Sequence, residues 1–236
     1  MKKLTSLIPT HEVKKALDIG TGSGDFIELL QSIFPHSHFT GVDPDEAAIS
    51  AARERFSSKS CTFAQMHAHA LGFSDHSFDL STLSNALHHL EDPSAAIAEM
   101  KRVTRPDGWI IISELRSDGL NPAQENHKLF HHHRSAIDRL NGIYHHETYS
   151  GQEILEMLSI EGLTPEFQFE YLRQPIADTS QEQIERFVKM MQNNLQRVAD
   201  TPYFDALAKV LPEFEQRANT WGIQAATNLV LGFRVN

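Results

Sequence analysis

Over the first half of the chain, short apolar runs alternate with longer segments whose apolar residues recur every three or four positions. That alternation predicts parallel strands wrapped by helices. Ala16-Leu17-Asp18-Ile19 reads as a first strand, and Phe26, Leu29, Leu30 and Ile33 line one face of the helix that follows. Phe39–Val42, Cys61–Ala64 and Phe78–Ser84 supply three more strands. Pro44 opens a helix carrying Ala48, Ile49, Ala52 and Phe56, and Asp92-Pro93 caps another that buries Ile97, Met100 and Val103. Pro106-Asp107-Gly108 predicts a turn into Trp109–Ile112, a continuous apolar run suited to a central strand.

The second half is less regular. Ser150-Gly151-Gln152-Glu153 has capping-box spacing before Ile154, Leu155 and Leu158, and Ser180-Gln181-Glu182-Gln183 has it before a second helix. That helix bears the stripe Ile184, Phe187, Val188, Met191, Leu195 and Val198, which either meets its own fold or forms the surface of a homodimer. Thr201-Pro202 starts a further helix that Pro212 must end or kink. Phe167–Leu172 and Asn228–Val235 read as the last strands. No repeat or linker interrupts the chain, so the expectation is one domain over 1–236 with helical additions at 119–146 and 174–220.

Acids outnumber bases 31 to 21, a formal charge of -10, and no basic patch is visible, which argues against a nucleic-acid substrate. No apolar stretch has the length of a membrane span. The apolar run after Lys2 and Lys3 is broken by Thr5, Ser6 and Pro9, unlike a signal peptide. The single cysteine, Cys61, fits a reducing compartment and predicts a cytoplasmic protein. The compositional oddity is 14 histidines.

Chemistry concentrates first in Asp18-Ile19-Gly20-Thr21-Gly22-Ser23-Gly24, between a strand and a helix. Glycines there let the backbone approach a ligand closely, and the helix start favours a carboxylate or phosphate. Counting from Gly20 or Gly22, the third glycine of a dinucleotide fingerprint falls on Asp25 or Ile27, and no Lys-Ser/Thr pair follows the loop. Asp43, ending the second strand, is placed to accept bonds from two ribose hydroxyls.

Asp18-x-Gly20-x-Gly22-x-Gly24, Asp43, the block Asn85-Ala86-Leu87-His88-His89-Leu90 and the run to Glu114 together resemble the class I S-adenosylmethionine-dependent methyltransferases. The likeness is to the small-molecule subgroup that includes the ubiquinone and menaquinone biosynthesis enzymes, and it covers residues 14–116. It implies a doubly wound α/β fold of Rossmann-like type. The seven-stranded sheet would be mostly parallel with the last strand antiparallel, and the additions would act as helical lid insertions. It also implies S-adenosylmethionine as cofactor and a small-molecule methyl acceptor. Gly20, Thr21 and Gly22 would line the methionine part, Asp18 would orient the loop or the cofactor amine, and Asp43 would hold the ribose. Pro44 would contact adenine, and Asn85 would join the cofactor lining. His67-Ala68 stands where the family has Asp-Ala reading the adenine edge, and Asp107 stands where glycine is commoner. An imidazole nitrogen at His67 can accept one bond but cannot replace a carboxylate.

Methyl transfer from a sulfonium needs alignment, exclusion of water and, for a hydroxyl or activated carbon, a base. Candidate bases or substrate-facing groups are His89 after strand four, Glu114 after strand five, and His133 on the apolar side of a helical addition. Each has a plainer reading as a local hydrogen-bonding or core residue. His127 and His131 have an i,i+4 spacing that can chelate a metal, but histidine runs on solvated helices are common, and no metal is expected. The rival functions are a cofactor-binding protein without transfer activity and a histidine-rich metal-binding protein on the same fold.

Overall fold

The computed structural model describes Met1, Lys3–Phe56 and Ser60–Val235. Lys2 of the amino-terminal lysine pair lies outside the described residues. The elements in chain order are α1 (Leu4–Leu7), β1 (Lys15–Ile19), α2 (Asp25–Gln31), β2 (His38–Asp43), α3 (Glu46–Arg55), β3 (Cys61–Gln65), β4 (Phe78–Ser84), α4 (Pro93–Val103), β5 (Thr104–Leu115), α5 (Pro122–Leu140), α6 (Gly151–Ile160), β6 (Phe167–Tyr171), α7 (Gln181–Gln196), α8 (Phe204–Ala208), α9 (Val210–Trp221) and β7 (Asn228–Arg234). The seven strands form a sheet ordered β3-β2-β1-β4-β5-β7-β6. The chain starts in the middle of the sheet, winds outwards to β3 and then returns past β1 to β4. The order therefore reverses beside β1, where open α/β sheets place their ligands.

The four pairings from β3 to β5 are parallel. Helices cover both faces of such strands, so their side chains are apolar on both, as Leu17, Ile19, Leu80, Ile110, Ile111 and Ile112 show by their near-complete burial. Each such side chain contributes about 1.5–3 kcal/mol. β7 is antiparallel to β5: the Asp107 N–H donates to the Val235 carbonyl, the Val235 N–H to Gly108, and, at the other end, the Arg116 N–H to Thr227.

The turn expected at Pro106-Asp107-Gly108 is instead a bulge inside β5, for Thr104 pairs with Phe78 and Trp109 already with Leu80. Asp79, the one residue opposite the bulge, pins it. Its carboxylate accepts from Arg105 Nε at 2.6 Å and from the Lys14 and Lys15 N–H groups at 2.8 Å each. Asp107 takes φ +59° there, a conformation aspartate tolerates better than most side chains.

The chain divides into two compact units. The described residues of Met1–Glu114, Leu155–Phe169 and Leu229–Asn236 make the sheet unit; Leu115–Ile154 and Glu170–Asn228 make a helical unit that contains both predicted additions. In the helical unit Asn121 caps α5 by accepting from the Ala123 and Gln124 N–H groups, while Gln124 returns the bond to the Asn121 N–H. The α7 stripe is used internally: Ile184 and Met191 pack with Phe130 of α5 and with Phe214 and Ala218 of α9. Phe187 and Val188 of the same stripe are partly buried against this cluster. The helical run from Phe204 breaks at Lys209 into α8 and α9, as expected of Pro212, which cannot bond the Ala208 carbonyl four residues before it and sits in the first turn of α9. Among the described residues no helix is long and apolar enough to cross a membrane.

Candidate functional site

β1 ends at Ile19, and the chain turns through three left-handed glycines, Gly20 (φ +66°), Gly22 (φ +53°) and Gly24 (φ +87°), before α2 begins. The Thr21 N–H donates to the Val42 carbonyl at 3.0 Å, so the loop is tied across to β2. A side chain at Gly20 would bring its Cβ to 2.7 Å from that of Ala86, closer than real atoms approach. The glycine therefore lets the loop after β1 pack closely against Ala86 beyond the end of β4.

Asp18 sits fully buried behind this loop. Its Oδ1 accepts from the Thr82 hydroxyl at 2.7 Å, whereas its buried Oδ2 closes no hydrogen bond. Burial raises its pKa to about 6, against the Thr82 and Thr21 hydroxyls, which pull it down, and with a further push from the Asp43 charge. A cation beside Oδ2 would favour the ionised form. Asp43 closes the other wall: Oδ2 accepts from the Gly22 N–H and Oδ1 from the Asp45 N–H, both at 2.9 Å. Each carboxylate oxygen has a second lone pair for an outside donor.

Beyond Asp43, the Pro44 carbonyl accepts from Gln65 Nε2 at 2.8 Å, and the Met66 N–H donates to the Asp43 carbonyl at 3.1 Å. These bonds bring the β3 end, with exposed His67 and half-buried Ala68, beside the β2 end. Asn85 leaves β4 with φ +50° and donates its N–H to the Ser113 carbonyl at 2.8 Å. The following single turn presents Leu87, His88 and His89. Glu114, buried at the end of β5, accepts from the Leu87 N–H on Oε2 and faces His88 Nδ1 with Oε1, both at 2.8 Å. His88 is buried, His89 is exposed, and their rings lie 4.3 Å apart.

Asp18, Gly20, Thr21, Gly22, Asp43, Pro44, His67, Ala68, Asn85 and Glu114 thus gather at the carboxyl ends of β1 to β5. His133 belongs to the helical unit, where its ring is buried beside the Leu207 backbone and burial lowers its pKa. One contributor escaped the sequence: Thr82, a hydroxyl in the middle of an apolar strand, is the partner that buried Asp18 needs. The available signal was a buried acid in need of a donor.

Residues 17–112 match the model of a family described as "Methyltransferase domain". These residues, less than half of the chain, are similar to that family. The chain resembles a demethylmenaquinone methyltransferase of Thermotoga maritima, 33% identical over 114 residues, which are 48% of this chain and 49% of the relative. The chain spans about half the length of the curated relatives it matches. Among solved structures, the YcgJ protein of Bacillus subtilis superposes with a TM-score of 0.63 at 20% identity, over 99% of this chain and 97% of that one. An S-adenosylmethionine-dependent methyltransferase from Methanosarcina mazei gives 0.56 at 18% identity, over 94% and 92%. Their similarity extends the Rossmann-like methyltransferase fold across nearly the whole chain.

Proposed function

We propose that the chain is an S-adenosylmethionine-dependent methyltransferase that acts on a small molecule in the cytoplasm. The observation that carries the reading is the left-handed Gly20–Gly22 turn, tied through the Gly22 N–H to the Asp43 carboxylate, with a buried and half-satisfied Asp18 behind it. These residues fit the cofactor. Asp18 offers a buried acceptor for its ammonium, the Gly20–Gly22 backbone a close wall for its methionine part, and Asp43 lone pairs for the ribose hydroxyls. Pro44, His67 and Ala68 flank the adenine side, and Asn85 closes the β4 edge. When bound, the cofactor supplies an electrophilic methyl group on a sulfonium sulfur.

On the acceptor side Glu114 holds His88 by Nδ1 and so fixes the turn that carries His89. His89, exposed on that turn, is the group assigned to take a proton from a hydroxyl or activated carbon, with Glu114 positioning it and His133 assigned to the substrate side of the helical unit. The name of the Thermotoga relative makes a quinol or other hydroxylated ring the first acceptor to try. Incubation with methyl-labelled donor and a panel of quinols, phenols, amines and thiols tests the proposal. Transfer to a member of the panel is expected. Donor binding without transfer to any acceptor would favour the cofactor-binding alternative, and absence of both would end the reading.

A further inference from the structure

The helical unit contains a histidine arrangement that methyl transfer does not use. His131, on α5, and His145, in the segment after it, point their Nε2 atoms at each other across 3.4 Å, with the ring planes 85° apart. That separation is long for a hydrogen bond between ring nitrogens. It equals the edge of a tetrahedron: two imidazole nitrogens at about 2.0–2.1 Å from one zinc-like ion lie about 3.3–3.4 Å apart. The near-perpendicular rings suit two ligands converging on a common centre.

The surroundings complete the pattern. His145 is buried, and its Nδ1 meets the buried Asp138 Oδ2 at 2.7 Å. A carboxylate on one ring nitrogen holds the proton there and turns the other nitrogen into a donor for metal, the arrangement that supports metal-bound histidines in general. Asp138 is itself fixed as an anion, for Arg197 Nη1 contacts its Oδ1 at 2.6 Å and Arg134 Nε lies 3.6 Å from Oδ2. Arg139 fastens the segment by donating to the His145 carbonyl at 2.8 Å. The neighbouring histidines are engaged elsewhere: His132 Nε2 with the Thr148 hydroxyl, and His146 Nδ1 with the Glu147 carbonyl. His127, the i,i+4 partner expected from the sequence, turns instead to the Phe187 ring and the Ala226 N–H, and burial lowers its pKa to about 4.

The geometry points to His131 and His145 as two ligands of a late first-row divalent metal ion, with Asp138 positioning His145. Borderline ions such as zinc, cobalt(II) and nickel(II) suit imidazole donors. The metal site rests on these three side chains and stands whether or not the proposed methyl transfer does.

The test is a titration of the full-length, tag-free chain, stripped with a chelator, with cobalt(II) chloride. Visible absorption and bound-metal analysis are the readouts. The expected result is saturable binding of about one ion per chain, with the strong ligand-field bands of a low-coordinate site. His131→Ala and His145→Ala should each abolish the saturable component, and Asp138→Asn should weaken it about 10–100-fold. His36→Ala, at an exposed position, should leave it unchanged. Circular dichroism identifies any variant that fails to fold. His131→Ala replaces a half-buried helix residue by the best helix former and carries the test if His145→Ala unfolds. No saturable binding, or binding that survives in folded His131→Ala, would overturn the inference and leave the two rings as a hydrogen-bonded pair only.

Discussion

Asp18→Asn should make the protein more stable while weakening the site. The Asp18 carboxyl is fully buried, and its pKa rises from 3.8 to about 6, chiefly because burial penalises the charge. An acid with a raised folded-state pKa binds its proton more tightly in the folded than in the unfolded chain. The contribution of Asp18 to stability is therefore most favourable below pH 3.8, falls as the pH rises towards 6 and is level above it. The loss amounts to about 3 kcal/mol at pH 7 and about half of that at pH 5. Asparagine carries no charge to bury and can still accept from the Thr82 hydroxyl through its side-chain oxygen. Its amide would occupy the place of the half-satisfied Oδ2, at a cost of about 1–3 kcal/mol if it finds no acceptor. That cost does not depend on pH, so the diagnostic quantity is the change with pH. The difference between variant and parent should move in the variant's favour by about 1–2 kcal/mol from pH 5 to pH 7, or about 2–8 °C in relative Tm. Thermal unfolding of both proteins at the two pH values, without cofactor, measures it. A difference that is constant with pH would refute the reasoning, because it would mean that the carboxyl titrates alike in the folded and unfolded chain.

Gly20→Ala should cost about 1–2 kcal/mol from the left-handed backbone alone and more from the contact with Ala86, with cofactor binding lost; thermal unfolding and calorimetry read the two effects separately. Glu114→Ala strips the Leu87 N–H and His88 of a buried acceptor and should destabilise the sheet unit by about 3 kcal/mol, seen in urea unfolding; Glu114→Gln, which keeps an acceptor, should recover part of that stability but not turnover. His133→Ala should alter KM or kcat if the residue serves the substrate. Lowered Tm with unchanged kinetics would make it a core residue of the helical unit.

The sheet was legible because the strands of the first half contain short apolar runs, three of them closed by Gly20, Asp43 and Asn85. The glycine turn and Asp43 were legible for a related reason: few side-chain types can do what those positions require. The β5 bulge was not, since Pro106-Asp107-Gly108 reads locally as a turn, and only the long-range bonds from Lys14, Lys15 and Arg105 to Asp79 hold it in the sheet. The pairing of His88 with Glu114 depends on two strand ends brought together over 26 residues of sequence, a relation that no local periodicity carries. The histidines of α5 show the same limit. The i,i+4 rule joined His127 to His131, but tertiary packing turned the first towards Phe187 and the second towards His145.

The central claim is that the Gly20–Gly22 turn and Asp43 make a nest for an adenosyl sulfonium. Calorimetric titration of the parent chain and of Asp43→Ala with S-adenosylmethionine and its demethylated product tests it most directly. The account expects both ligands to bind the parent, and the variant to lose about tenfold to a hundredfold in affinity with each, the worth of one charge-assisted hydrogen bond. Unchanged affinity in the variant, or a parent that prefers a nicotinamide dinucleotide or a nucleoside triphosphate, would contradict it.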